Sequence, residues 1–313
     1  MGPEAVSLLR AQMHCFRDVL SLMPLVRTGA VAGLRRLPAG EGQAVHLQSD
    51  GLRLVGSYRP AHVDGTREDG GLRPGLVITH GASSRGRRLP LVQVLAWMFQ
   101  QRGYHVLCYD ARCYGESDHP PTPDDEAMFD FSRDVIEAVD WLAARPEVDG
   151  RRVFVLGHSF GAGAALDAQA YEPRIAKLAL FGPPRRLTER YFAEGAPDRL
   201  RITARIQHDL NVPYRIAPEV IGRVLAARDI ERHIYRFQSH DHVPLLLLDA
   251  EQEDPADRAF LHAVHARMSG RAKYWTVPGT DHYLNTARVL GRVVYHPERV
   301  TPFVDAVDRF LRS

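Results

Sequence analysis

Val153-Phe154-Val155-Leu156-Gly157-His158-Ser159-Phe160-Gly161-Ala162-Gly163-Ala164-Ala165 is the stretch on which the reading of this chain turns. Its first four residues are apolar and predict a buried strand. Gly157-His158-Ser159-Phe160-Gly161 follows with no spacer, and the small residues 162–165 open a helix. A strand that turns sharply into a helix through Gly-x-Ser-x-Gly lifts the serine oxygen clear of the backbone. The glycines remove side chains that would collide at such a turn. The helix N-terminus behind the serine favours developing negative charge. The five-residue string alone is weak evidence; its place between a strand and a helix makes it specific.

Outward from this stretch, strands and helices alternate. "GLVITHG" (75–81), "YHVLCYD" (104–110), "IAKLALFG" (175–182), "VPLLLLDA" (243–250) and "AKYWTVPG" (272–279) all read as strands. Between and after them, 89–102, 124–145 and 297–312 read as helices. The acidic residues 124–126 suit the dipole at the start of the second. Residues 41–60 read as a hairpin around Ser49-Asp50-Gly51. Strands that are apolar on both faces, alternating with helices, predict an α/β fold: a mainly parallel sheet with helices on both sides. Residues 185–242 break this rhythm with Arg, Pro, aromatic residues and a short helical pattern at 217–228. They read as a cap inserted over the carboxyl edge of the sheet. The organisation is thus an N-terminal helical segment (1–40), a core (41–184 and 243–313) and the cap.

Composition narrows the class. The 313 residues are 45% hydrophobic and 25% charged, with net charge +2. That is ordinary globular composition with no field for nucleic acid. Cys15, Cys108 and Cys113 are too few and too odd in number for a disulfide framework, and no Cys-x-x-Cys pair suggests zinc. With no secretory signal and no apolar run long enough to span a bilayer, a cytoplasmic location is expected. Leu9, Met13, Phe16 and Leu20 fall at helical spacing. They predict a helix that packs on the body or on a second copy, with peripheral membrane contact as the alternative.

A serine hydroxyl needs a base, and the base needs a carboxylate to orient it. His282 follows the late strand, in Pro278-Gly279-Thr280-Asp281-His282, where reacting groups gather at strand ends. The acid should follow "PLLLLDA" (244–250). Asp249, Glu251, Glu253 and Asp254 are the candidates, Asp249 being too close to the strand. Asp254 is placed first and Glu253 is the alternative, although Asp254 before Pro255 also resembles a helix N-cap. Two backbone N–H donors should stabilise an oxyanion: Phe160, just after the serine, and Ala82, in the loop opened by His80-Gly81.

Together these features resemble the α/β-hydrolase family over roughly residues 41–313. His80-Gly81, the turn at 157–161, Gly279-Thr280-Asp281-His282 and the order Ser, acid, His carry the likeness. Asp110-Ala111-Arg112-Cys113-Tyr114-Gly115-Glu116-Ser117 is similar to the family's Asp-x-Arg-Gly-x-Gly-x-Ser loop, with Cys113 in place of glycine. The family's Gly-x-x-Asp after the acid strand is not matched: strict spacing selects Glu253, and one extra residue selects Asp254.

The expected activity is hydrolysis of a carboxylic ester or related acyl compound through an acyl-enzyme, with no cofactor. Amide or peptide cleavage, acyl transfer, and a non-catalytic receptor or scaffold are the alternatives. His233, His240, Asp241 and His242 form a conceivable metal cluster, read as surface or substrate-facing residues instead. Tyr191, Phe192, Tyr214, Tyr235 and Phe237 suit an apolar acyl group or simply pack the cap. Arg185 and Arg186 are candidates to meet a substrate carboxylate.

Overall fold

The computed structural model describes residues 33–38, 40–62, 71–123, 126–186, 199–233, 243–268 and 272–313. The expected N-terminal helix, Tyr191, Phe192, Tyr235, Phe237, His240, Asp241 and His242 lie outside the described residues.

After the short strand β1 (Arg35–Arg36) comes the hairpin of β2 (Gln43–Ser49) and β3 (Leu52–Arg59), paired antiparallel with Ser49 opposite Leu52. Asp50 and Gly51 both have positive φ, 48° and 79°, as a two-residue turn matched to strand twist requires. Then come β4 (Arg73–Thr79), α1 (Pro90–Gln101), β5 (His105–Tyr109), α2 (Phe131–Ala143), β6 (Val148–His158), α3 (Phe160–Ala168) and β7 (Ile175–Phe181). After the segment holding α4 (Arg199–Asp209) and α5 (Pro218–Ala226), the chain returns as β8 (Leu245–Ala250), α6 (Pro255–Ala266), β9 (Ala272–Val277) and α7 (Pro297–Arg312). The eight-stranded sheet has the order β2-β3-β5-β4-β6-β7-β8-β9. Pairing is parallel from β5 to β9 and antiparallel at the β2-β3 edge.

Side-chain alternation explains why the strands are apolar throughout. Val153 and Val155 join one buried cluster with residues of α2, α3 and α6, while Phe154 and Leu156 join another with α1 and α7. A strand covered on both faces has no polar side to show.

Two readings of the sequence need correction. The second helix begins at Phe131, not in the acidic turn 124–126, because the Asp130 side chain accepts from Ser132 N and caps it there. A separate three-stranded sheet, Arg35–Arg36, Ala287–Val289 and Arg292–Tyr295, was not foreseen. Its strands are too short for a period-two signal.

Arg112 ties these parts together. Its side chain is fully buried and donates to Asp134 Oδ1 from Nε (2.8 Å) and Nη2 (2.7 Å), while its backbone N–H donates to Asp134 Oδ2 (2.8 Å). The remaining donors meet Ser49 Oγ, Asp50 Oδ2 and Met128 O at 2.8–2.9 Å. One guanidinium therefore joins the hairpin turn, the loop after β5 and α2. Removing its carboxylate partner leaves a buried charge uncompensated. Asp134→Ala is expected to lower unfolding free energy by about 3–5 kcal/mol, and the apolar pair Arg112→Met with Asp134→Leu by clearly less. Denaturant unfolding of both variants checks this; equal losses would mean that burial of the unpaired charge is not the cause.

Candidate active site

Ser159 sits between β6 and α3 with φ 52° and ψ −124°, a conformation that costs a non-glycine residue free energy. Its backbone is held on both sides: its N–H donates to Phe181 O (2.9 Å), and its carbonyl accepts from Ala162 N (2.9 Å). The turn closes only because its glycines lack side chains. A Cβ on Gly161 would lie 2.1 Å from Thr79 Oγ1, and one on Gly157 2.5 Å from Ala162 Cα.

The oxyanion donors named from the sequence lie beside this turn. Phe160 is the first residue of α3, so its amide has no acceptor within the helix. Ala82 N has no hydrogen-bond partner among the described residues. Gly81 brings the loop close: a Cβ there would be 2.9 Å from Ser159 Cβ. His80 fixes that loop. Its Nε2 accepts from Ala111 N (3.0 Å) and its Nδ1 donates to Gly81 O (2.7 Å).

His282 lies in a turn shaped by Asp281, whose carboxylate accepts from Tyr283 N (2.9 Å) and Asn285 N (2.7 Å). The imidazole Nδ1 hydrogen-bonds Glu253 Oε1. A carboxylate only accepts, so Nδ1 carries the proton and Nε2 is left to take one. Gly182 at φ 55° makes room: a Cβ there would be 2.7 Å from the His282 ring. Ser159 and His282 thus stand on adjoining segments, since Ser159 is bonded to Phe181 and His282 abuts Gly182. No hydrogen bond joins Ser159 Oγ to His282 among the described residues. Such bonds are often long in empty sites and tighten with substrate.

Asp254, placed first from the sequence, does not reach the imidazole. Its carboxylate caps α6, accepting from Ala256 N at 2.8 Å. Adjacent acids divide two tasks, and the longer side chain of Glu253 makes the reach. Arg185 also departs from expectation. It is buried among the protein's own carboxylates, 3.3 Å from Glu253 Oε2 and 3.8 Å from Asp249 Oδ1. It supports Glu253 and is not placed to greet a ligand. His233 contacts Ala227 O (2.5 Å), and no group of His, Cys, Asp and Glu among the described residues could hold a metal ion.

His158, not singled out from the sequence, is also part of the arrangement. Its Nε2 donates to His282 O (2.9 Å), and its ring centroid lies 4.8 Å from that of His282. Its position inside the Gly-x-Ser-x-Gly string was the available signal. Burial, aided by the neighbouring His282, drives the His158 pKa well below 6.5. Burial also lowers that of His80, against the pull of Asp110.

An apolar cavity is lined by Ala82, Tyr114, Phe129, Phe131, Phe160 and side chains of α4 and α5, and so opens beside the turn that carries Ser159. No helix among the described residues is long and apolar enough to cross a membrane.

Comparison with known proteins agrees with this architecture. Residues 72–246 match the family described as serine aminopeptidase, S33. The chain belongs to this family of α/β hydrolases. It is 29% identical over 277 residues to an uncharacterized protein of Mycobacterium tuberculosis (strain H37Rv), covering 88% of this chain and 80% of that one. It is 33% identical over 126 residues to the polyketide transferase af380 of Aspergillus fumigatus, which is 40% of this chain and 39% of that protein. The Pyrococcus furiosus esterase PF2001 shares the fold, with TM-score 0.55 and 19% identity over 89% of this chain and 95% of that one.

Two predictions follow from these contacts. Glu253→Gln should lower kcat by about 10²–10⁴-fold, whereas Asp254→Ala should cost about 1 kcal/mol of stability and leave kcat within a few-fold. Steady-state kinetics and thermal unfolding of both variants separate the two roles; the reverse assignment would reinstate Asp254. The second concerns pH. His80 and His158 have folded-state pKa values below the unfolded 6.5. Below pH 6.5 the unfolded chain therefore binds more protons, and stability falls on acidification by about 1.4 kcal/mol per pH unit for each ring until its folded pKa is reached. Unfolding free energies from pH 7.5 to 5 measure this slope, which His158→Phe should make shallower.

Proposed function

We propose that this chain is a serine hydrolase that cleaves a carboxylic ester or related acyl compound through an acyl-enzyme. The observation that carries the reading is the contact of His282 with Glu253, beside a serine held in a strained turn at a helix N-terminus. His282 Nε2 takes the Ser159 proton as Oγ attacks the acyl carbon. The amides of Phe160 and Ala82 stabilise the oxyanion. His282 then returns the proton to the leaving group. Water, activated by the same ring, releases the acid and restores the serine.

The apolar cavity suits the acyl part. An aminopeptidase must place a free α-ammonium group next to the acyl carbon being attacked. Among the described residues no carboxylate lines the apolar cavity, which favours ester over N-terminal peptide cleavage. The likeness to a polyketide transferase supports a second reading, delivery of the acyl group to an alcohol in place of water. It shares every step up to the acyl-enzyme.

A fluorophosphonate probe should label Ser159 and nothing in Ser159→Ala. The same substitution should lower ester turnover by about 10⁴-fold or more without unfolding the protein. Labelling at another residue, or full turnover by folded Ser159→Ala, would overturn the reading.

A further inference from the structure

His158 is the last residue of β6. The two-residue period of the strand puts its side chain on the face of Phe154 and Leu156, where it is 2% exposed. It lies between the two loops that the reaction must hold in register. At one ring nitrogen, Nε2, it meets His282 O at 2.9 Å. At the other, a Cβ built on Gly81 would be 3.0 Å from Nδ1 and 3.2 Å from Cε1, so the loop carrying Ala82 rests against the ring. Aromatic groups enclose the rest: Phe181 is stacked with centroids 5.6 Å apart, Tyr283 lies at 5.6 Å and the His282 ring at 4.8 Å.

The turn of His282 is closed mainly upon itself. Leu284 N donates to Asp281 O, Thr286 N to Tyr283 O, and the Asp281 carboxylate accepts from Tyr283 N and Asn285 N. Among the described residues, the bond from His158 is the one that ties the main chain of 281–286 to the sheet. Glu253 holds the imidazole at Nδ1 but does not fix the backbone from which the ring hangs.

That bond also fixes the state of His158. A carbonyl oxygen only accepts, so Nε2 carries the proton and Nδ1 holds a lone pair. Nδ1 is buried and has no hydrogen-bond partner among the described residues. A second proton there would put a charge out of water with nothing to accept from it. Burial and the neighbouring His282 accordingly hold the ring neutral. Neutrality has a use beside a base. His282 becomes an imidazolium when it takes the Ser159 proton. A lysine or arginine donating to its carbonyl would oppose that charge at close range. A neutral ring anchors the same carbonyl without opposing it.

Resting on the acyl-hydrolase reading, we propose that His158 is a positioning residue: its Nε2–H anchors the base-bearing turn to the end of β6, and its ring sets the spacing between that turn and the loop carrying Ala82.

Three variants test this. His158→Phe keeps a ring and loses the donor. His158→Gln keeps a neutral donor, its amide nitrogen as many bonds from Cα as Nε2, and His158→Asn holds that nitrogen one bond short. With 4-nitrophenyl butyrate, kcat should fall by about 10–100-fold in the Phe and Asn variants with KM within about twofold, and the Gln variant should regain most of the loss. Because the donor acts through His282, adding His158→Phe to His282→Ala should cost less than about twofold. Unfolding temperatures accompany the kinetics. A variant that loses stability while keeping kcat, an equal loss of kcat on both backgrounds, or a Gln variant no better than Asn overturns the proposal. Should His158→Phe not fold, the contrast of Gln with Asn carries the test. If wild type neither turns over ester nor reacts with a fluorophosphonate, the hydrolase reading fails by itself, and proton NMR decides the position of the ring. The downfield resonance of the His282 Nδ1 proton, assigned by its loss in His282→Ala, should broaden in the Phe and Asn variants and stay sharp in Gln. A resonance absent from wild type, or indifferent to all three substitutions, removes the proposal.

Discussion

The site depends on a single steric constraint: α3 comes so near to β6 and to the strand end at Thr79–His80 that no side chain fits between them. Gly161 stands where a methyl group would overlap Thr79 and the His80 carbonyl. That closeness forces Ser159 into its strained backbone conformation and sets the Phe160 amide beside the loop carrying Ala82. Strain of this kind persists only where the surroundings over-determine it. Here the surroundings are the bonds from Ser159 to Phe181 and Ala162, set in a sheet covered on both faces.

Polar groups around the serine are positioned by the protein's own buried network. His158 donates to the main chain of His282, and His80 bridges its loop to Ala111. Both rings are kept neutral by burial, so they act as fixed hydrogen-bonding groups and add no charge beside the serine. Arg185 lies against the carboxylate that holds His282. Its buried charge is offset by Glu253, Asp249 and Asp257 and is not turned outward.

Much of this was legible in the sequence because it rests on local pattern. The strand-turn-helix around Ser159, the Asp-Gly hairpin and the doubly apolar strands follow from chain geometry over a few residues. His282 was legible from its place after a late strand. The choice between Glu253 and Asp254 was not settled by type or position, since both are acids in one turn. It is decided by which one caps α6, a question of where the helix starts. The partners of Arg185 were not legible either. They come from β8 and the turn after it, more than sixty residues on, and sequence spacing carries no record of that return. The three short strands 35–36, 287–289 and 292–295 gave too little repetition to register.

Cys113 fills a position that favours glycine. It has φ 67° and is completely buried, with its thiol pKa pushed up by that burial. Glycine there would relieve the left-handed backbone but leave a hole where sulfur now packs, two changes of opposite sign. Its carbonyl also accepts from Asn211 N at 2.6 Å, just beyond α4. The bend at residue 113 is therefore a hinge pin for the roof of the apolar chamber. A change of backbone there would be felt at the end of α4, which forms part of the wall of the apolar cavity.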